Sequence, residues 1–226
     1  MRIAVLGTGG VGTALAERLE GLGHQVTIGT RDVAATLERT EPGAMGGAPF
    51  AAWAAEHPAV LVASFAEAVG QAEVVINATS GAVTLDAIRA AGAEGLEGKV
   101  LVDISNPLDF SAGFPPSLFI SNTDSLGERI QAEIPGTKVV KTLNTLTAAL
   151  MVHPQALADG VHSVFVSGND ADAKATVTQL LREFGHTDII DLGDITTARG
   201  TEMFLPLWLR LMGVVGTPTF NIKVVR

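Results

Sequence analysis

Apolar residues along this chain alternate between short β-branched or aliphatic runs and longer stretches with helical spacing. The runs that predict strands are, in chain order, 3–6, 25–31, 60–63, 73–79, 99–103 and 137–141. After the first run, apolar residues recur at Val11, Leu15, Leu19 and Leu22, which is the spacing of an amphipathic helix. Strands that alternate with helices in this way predict an α/β fold, a Rossmann doubly wound parallel sheet.

The pattern changes after about residue 150, where His153-Pro154 interrupts it. Four further elements are predicted: a strand over 163–167, a helix over 170–184, a strand over 188–192 and a final alternating strand over 219–225. The stretch 196–215 is apolar nearly all round and predicts a helix kinked at Pro206. We therefore expect a Rossmann domain over 1–150 and a smaller C-terminal helical and strand extension over 151–226.

Glycines follow the first predicted strand at the spacing G-x-G-x-x-G, formed by Gly7, Gly9 and Gly12. A strand, a tight turn and a helix are the context that a dinucleotide-binding fingerprint needs, although any glycine-rich turn is an alternative. In such a site Gly9 lets the backbone approach a pyrophosphate, and Gly12 lets the helix pack on the strand. The predicted cofactor-binding residues here are Gly7, Thr8, Gly9, Gly10, Val11 and Gly12.

The end of the second strand indicates which dinucleotide is bound. An NAD site places an acidic residue there, but this chain has Gly29, followed by Thr30 and Arg31. A small residue leaves room for a 2′-phosphate, to which Thr30 and Arg31 can donate hydrogen bonds. We therefore predict NADP(H), with Thr30 and Arg31 as ligands. Two alternatives stay open: Arg31 is a solvated residue at a helix start, or Asp32 serves NAD.

The charge and composition of the chain exclude several classes of binding partner. The formal net charge is −9 with no basic run, so neither nucleic acid nor an anionic membrane is an expected partner. The chain has no cysteine and therefore no disulfides or thiolate metal sites, which fits a cytoplasmic protein. We also expect no targeting segment before the first strand. The five histidines are expected at the surface or in loops, and no metal site is predicted.

Polar and small residues follow the fourth, fifth and sixth strands, whose carboxyl ends meet at the edge where such sheets bind ligands. The cofactor-binding residues predicted there are Ala78, Thr79, Ser80, Asn106, Pro107 and Asn144. Asn144 is also the candidate catalytic residue. Lys141 lies on the right strand but is expected to be a surface charge at the strand end, and Asp103 a hydrogen-bond acceptor.

Five stretches carry a resemblance to a known family: VLGTGGVG at 5–12, IGTRD at 28–32, VLVDISNPLD at 100–109, VVKTLNT at 139–145 and TARGTE at 197–202. On these residues the chain resembles the coenzyme F420-dependent NADP oxidoreductases and their bacterial relatives. The resemblance implies that Thr8, Thr30 and Arg31 hold the NADP phosphates, and that segments ending at Thr79, Pro107 and Asn144 surround the nicotinamide. It also implies a dimer or larger assembly.

The chain departs from the F420-using members at Asn144, where they carry His, and at Ser80-Gly81, where they carry Pro-Trp. Few acids or bases occupy the predicted site, and zero tyrosine removes the Tyr-Lys acid of short-chain dehydrogenases. Hydride transfer between two bound rings needs little from the protein beyond orientation.

Three hypotheses follow for the function. The first is an NADPH reductase of a deazaflavin, F420, or of a flavin-type acceptor. The second is an NADP-dependent reductase of a small imine or carbonyl, and the third is a non-catalytic NADP(H)-sensing regulatory protein. The apolar stretch 196–215 predicts a homodimer, and we expect the C-terminal part to contribute the dimer contact and the acceptor site.

Overall fold

The computed structural model describes residues 1–43 and 48–226. Its strands are β1 Arg2–Leu6, β2 Gln25–Thr30, β3 Leu61–Ser64, β4 Val74–Asn77, β5 Val100–Asp103, β6 Leu108–Asp109, β7 Ser117–Leu118, β8 Lys138–Thr142, β9 Ser163–Gly168 and β10 Asp188–Asp191. Its helices are α1 Gly10–Gly21, α2 Val33–Leu37, α3 Phe50–Glu56, α4 Phe65–Gln71, α5 Thr84–Ala91, α6 Ala93–Leu96, α7 Leu126–Glu133, α8 Ala148–Val152, α9 Ala171–Phe184, α10 Ala198–Met203 and α11 Leu205–Val215.

The main sheet has the strand order β10-β9-β8-β5-β4-β1-β2-β3. The six strands from β3 to β8 in this order are mutually parallel, which is the doubly wound Rossmann arrangement with its order reversal beside β1. β9 runs antiparallel to β8, and β10 runs parallel to β9. The predicted fold class is therefore confirmed, and the C-terminal strands continue the same sheet.

Both faces of the sheet are buried, and β1 shows how the sequence does this. Ile3 and Val5 join one apolar core with helix α1, whereas Ala4 and Leu6 join a second core on the opposite face. Successive side chains of a strand point to opposite faces. Because both faces are covered by helices, the strand reads as a continuous apolar run.

The predicted final strand over 219–225 is wrong, because the chain after α11 forms no strand. β9 already pairs with β8 on one side and β10 on the other, so it offers no free edge. The tail is held instead by single contacts, such as the Ser163 N–H to the Ile222 carbonyl at 3.0 Å. Lys223 and Ser163 hydrogen-bond the Asp188 carboxylate and lower its pKa to about 2.

The stretch over 196–215, predicted as one helix kinked at Pro206, contains two successive helices, α10 and α11. The chain interrupts the helix at Phe204, and Pro206 lies in the first turn of α11, where its missing N–H has no partner to lose. Within α11, which is described in full, Leu205 is the one buried residue, and Leu207 and Val214 are 55% and 87% exposed. An exposed apolar patch of this kind is typical of interaction surfaces.

His162 and His186 lie in loops, as predicted for the histidines, but they are buried beside each other, with ring centroids 6.1 Å apart. The Nε2 of His186 lies 2.9 Å from the Met151 carbonyl oxygen. Burial lowers the pKa of His186 from its usual 6.5 to about 4, because the charged ring would lose its contact with water.

We expect the free energy of unfolding to fall by about 2 kcal/mol between about pH 7 and about pH 5 because of His186. In this window the unfolded chain binds a proton that the folded ring, with its lowered pKa, does not bind. Urea unfolding at several pH values measures the slope, and His186→Gln should remove most of it. The exposed His153 provides the control, since His153→Gln should leave the slope unchanged.

Candidate cofactor site

The turn between β1 and α1 has the geometry that the glycine fingerprint predicts. Gly7 has φ +122°, and a Cβ there would lie 2.7 Å from the Ala78 carbonyl oxygen. A Cβ at Gly12 would lie 2.1 Å from the Gly7 carbonyl oxygen, so α1 packs against the turn only with glycine. A Cβ at Gly9 would meet no described atom within 4 Å, so packing within the described chain does not require glycine there.

A cavity of about 490 Å³ opens at the carboxyl ends of β1, β2 and β4, next to this turn. Eight of the predicted cofactor-binding residues line it: Gly7, Thr8, Gly9, Thr30, Arg31, Ala78, Thr79 and Ser80. Gly10, Val11 and Gly12 form the first turn of α1 beside the cavity, and Asn106, Pro107 and Asn144 lie outside its lining. The structure therefore places all the predicted cofactor-binding residues at one edge of the sheet, but Asn106, Pro107 and Asn144 do not share the cavity with the others.

The end of β2 differs in one respect from the sequence-based argument. A Cβ at Gly29 would lie 2.8 Å from Leu6 Cδ2 and 3.2 Å from Phe65, so glycine is required there by core packing. Thr30 is the residue at the strand end, and its hydroxyl lies 2.8 Å from that of Thr36. No acidic side chain occupies that position. The space for a phosphate therefore comes from the lack of an acid at Thr30 and not from Gly29.

The alternative in which Asp32 serves the ribose is not favoured, because Asp32 is the N-cap of α2. Its carboxylate accepts the Ala35 N–H at 3.0 Å, the usual role of an aspartate before a short helix. Arg31, one residue earlier, is exposed, and no described residue pairs with its guanidinium.

A second arginine, Arg39, lines the same cavity, and the sequence analysis missed it. It donates hydrogen bonds to Thr8, at 3.1 Å to the hydroxyl and 2.7 Å to the carbonyl oxygen. Its guanidinium also lies 5.4 Å from the centroid of the Phe50 ring. Among the residues with described coordinates, no carboxylate neutralises Arg31 or Arg39. Two unneutralised cations beside the glycine turn form a site for an anion with several charges.

At the other half of the edge, Asn106 and Asn144 bind each other. The Nδ2 of Asn106 donates to the Asn144 carbonyl oxygen at 2.8 Å, and the Nδ2 of Asn144 donates to Asn106 Oδ1 at 3.0 Å. The preceding residue, Leu143, has φ +59°, an unfavourable backbone conformation for a residue with a Cβ. Such strain concentrates at functional sites.

The Thr79 hydroxyl donates to Asn77 Oδ1 at 2.7 Å, and Asn77 in turn donates to Asp103 at 2.8 Å. Asp103 is thus the hydrogen-bond acceptor that the sequence predicted. Lys141 is not the predicted surface charge, because it is 1% exposed and paired with Asp103 and Glu202. Burial alone would lower the pKa of Lys141, but these two carboxylates outweigh it and raise the pKa above its usual value.

The described parts of the chain contain no group of three or more His, Cys, Asp or Glu residues that could hold a metal ion. In the same residues no helix is both long and apolar enough to cross a membrane.

Comparisons with known proteins agree on one family. The family model described as NADP oxidoreductase coenzyme F420-dependent matches residues 2–107. The F420-dependent NADP reductase of Methanothermobacter marburgensis is 31% identical over 93% of this chain and 92% of its own length. A crystal structure from Arthrobacter sp. FB24, assigned as an F420-dependent NADP-reductase, is 60% identical with a TM-score of 0.95, and all of both chains is covered.

A more distant relative is much longer than this chain. The rat metalloreductase STEAP3 is 29% identical over 92% of this chain, which spans 38% of that protein's length. The comparisons together confirm the resemblance and the predicted enzyme class, which is an NADP-dependent oxidoreductase. They also confirm that NADP(H) and F420, the predicted pair of cofactors, are those of the family. The chain belongs to the family of coenzyme F420-dependent NADP oxidoreductases.

Proposed function

We propose that this protein transfers hydride between NADPH and a deazaflavin, F420, or a flavin-type acceptor. The observation that carries the proposal is the pair of arginines, Arg31 and Arg39, that face the cavity beside the glycine turn without a carboxylate partner in the described chain. NADPH differs from NADH by a 2′-phosphate, which two guanidinium groups suit. The family supports the acceptor.

The cofactor would use this edge of the sheet in two parts. Gly7 to Gly12 would receive the pyrophosphate at the N-terminus of α1, where unpaired N–H groups point outward. Arg31, Arg39 and Thr30 would bind the 2′-phosphate. Ala78, Thr79 and Ser80 lead from the cavity towards Asn106, Pro107 and Asn144, which would face the nicotinamide and the acceptor.

NADPH supplies the hydride when bound, and the residues of this chain would orient it and exclude water. Asn106 and Asn144 carry amides, so neither would lose or gain a proton near neutral pH. A reductase of a small carbonyl needs a proton donor at the developing alkoxide. The uncharged amides at this position support transfer between two rings over that alternative.

The test is NADPH oxidation, followed at its nicotinamide absorbance, with F420, riboflavin and a small cyclic imine as acceptors. We expect turnover with F420 or riboflavin and little with the imine. Turnover with the imine alone would support the imine or carbonyl reductase. Tight NADPH binding without turnover of any acceptor would instead support the NADP(H)-sensing regulatory protein.

We further propose a homodimer that buries the exposed apolar face of α11. In this proposal residues 151–226 contribute both the dimer contact and part of the acceptor site. Sedimentation equilibrium at micromolar concentration should give twice the chain mass of 23.3 kDa. Val214→Asp should shift the equilibrium towards the monomer, because it buries a charge at the contact. Leu61→Asp, exposed on the far edge strand β3, should not. A wild-type monomer would contradict the proposal.

A cytoplasmic location stays a prediction.

A further inference from the structure

A buried cluster of three ionisable side chains lies outside the cofactor cavity. Lys141 of β8, Asp103 of β5 and Glu202 of α10 are 1%, 0% and 1% exposed, and none of the three lines the cavity. Lys141 Nζ lies 2.8 Å from Asp103 Oδ2 and 2.8 Å from Glu202 Oε1. It donates a further hydrogen bond to the Ser105 carbonyl oxygen. The ammonium group therefore has three partners on separate elements.

The two carboxylates hold different parts of the chain. Asp103 Oδ1 accepts hydrogen bonds from Asn77 Nδ2 at 2.8 Å and from the Ser105 N–H at 3.1 Å, which joins the ends of β4 and β5. Glu202 accepts the N–H groups of Leu126 and Gly127, at 2.8 and 3.0 Å, in the first turn of α7. Lys141 therefore connects the ends of β4 and β5 with the first turn of α7.

α10 also contacts α7 closely in the turn before Glu202. Arg199, one turn earlier in α10, forms a two-point ion pair with Glu128 of α7. A Cβ at Gly127 would lie 3.3 Å from the Ala198 Cβ and 3.7 Å from Lys141 Cδ. The C-terminal part of the chain is therefore fixed to the carboxyl edge of the sheet through α7 and Lys141.

Stability alone is a weak reason for such a cluster, because buried ion pairs are often replaced by apolar side chains without loss. Its location offers another reason. Ser105, which holds Lys141, directly precedes Asn106, and Lys141 lies three residues before Asn144. A Cβ at Gly81 would lie 1.9 Å from the Asn106 carbonyl oxygen, so the loops after β4 and β5 also touch.

We propose that Lys141, held by Asp103 and Glu202, is a positioning residue that fixes the Asn106–Asn144 pair for hydride transfer. It acts through the loops that it joins and touches neither cofactor nor acceptor. The proposal rests on the proposed function. It predicts that loss of the ammonium group loosens the nicotinamide end of the site and leaves the phosphate end, at Arg31 and the glycine turn, intact.

The test is Lys141→Met, measured as NADPH affinity, single-turnover hydride transfer to F420 and the fluorescence lifetime of bound NADPH. We expect the transfer rate to fall about 30-fold, since small misplacements of reacting groups carry costs of this order. The NADPH dissociation constant should stay within about threefold of the wild-type value, because the phosphates hold the cofactor. The lifetime should shorten, because the nicotinamide ring becomes mobile.

The matched control is Lys99→Met. Lys99 donates to the Val69 carbonyl oxygen and directly precedes β5, at the opposite edge of the sheet from Asp103. It should change neither transfer rate nor lifetime. If it reduces the rate as much as Lys141→Met does, or if Lys141→Met weakens NADPH binding along with the rate, Lys141 is structural only and the proposal is overturned.

Two outcomes need their own criteria. If Lys141→Met does not fold, Glu202→Gln decides by the same three readouts, because it removes one carboxylate and keeps the Lys141–Asp103 pair. If the wild type transfers no hydride to F420, the proposed function fails at that acceptor. The fluorescence lifetime of bound NADPH then tests the positioning role of Lys141 by itself. A shortened lifetime at unchanged affinity supports the positioning role, and an unchanged lifetime overturns it.

Discussion

Asn144→Leu is expected to reduce acceptor-dependent NADPH oxidation by about 100-fold while NADPH still binds. Leucine removes the donor that Asn144 gives to Asn106 Oδ1, and it leaves that half-buried oxygen without this hydrogen bond. Its branched side chain also adds apolar bulk at a position that is 3% exposed. Both changes act at the proposed acceptor end, away from Arg31 and the glycine turn.

The measurement pairs NADPH affinity by calorimetry with the rate of oxidation on the same variant. Asn169→Leu is the control, because it makes the same substitution at another asparagine whose side chain forms a hydrogen bond, in this case by accepting the Ile195 N–H. Asn169 follows β9, which runs antiparallel to β8, so it lies at the opposite edge of the sheet. If NADPH affinity collapses with the rate, or if the rate is untouched, the acceptor site is wrongly assigned.

The six parallel strands were predictable because short apolar runs alternate with helical patterns along the chain. The glycine turn was predictable because the fingerprint records both glycines that close contacts require, Gly7 beside Ala78 and Gly12 beside Gly7. The tail over 219–225 was not predictable in this way. Alternation shows that a segment suits a strand, but it does not show that the tail will lie beside β9, which already pairs with a strand on each side.

Lys141 shows a second limit of the sequence. In a strand covered on both faces, polarity does not indicate which residues face solvent, so a lysine at the strand end reads as exposed. Its partner Glu202 is distant in sequence, and only the packing of α10 on α7 brings the two together. Arg39 was missed for a similar reason, since it lies beyond α2 and reaches Thr8 through a turn.

In the proposed function, recognition of the cofactor and the chemistry lie at two separate parts of one sheet edge. Positive charge without a described carboxylate partner gathers at the cavity, at Arg31 and Arg39. The Asn106–Asn144 end is uncharged and is connected to the buried charges of Lys141 and Asp103. Variants at the two ends should therefore change different quantities, affinity at the first and rate at the second.

Removal of the two arginines is expected to abolish the preference for NADP(H) over NAD(H). Arg31→Ala should lower NADP(H) affinity by about 1.5–3 kcal/mol, the contribution of a hydrogen bond to a charged group, or about 10- to 150-fold. NAD(H), which lacks the 2′-phosphate, should bind almost as before. Arg39→Ala should act in the same direction, and the double variant should bind the two cofactors about equally.

Calorimetric titration of NADPH and NADH into each variant measures these effects, with Arg182→Ala on α9 as a control that removes one exposed positive charge outside the cavity. Equal affinity of the wild type for the two cofactors would refute the assignment of NADP(H) to this cavity. Because Arg39 also holds Thr8 in the glycine turn, its role has a separate criterion. If Arg39→Ala weakens NADPH and NADH equally, Arg39 supports the pyrophosphate turn, and Arg31 alone reads the 2′-phosphate.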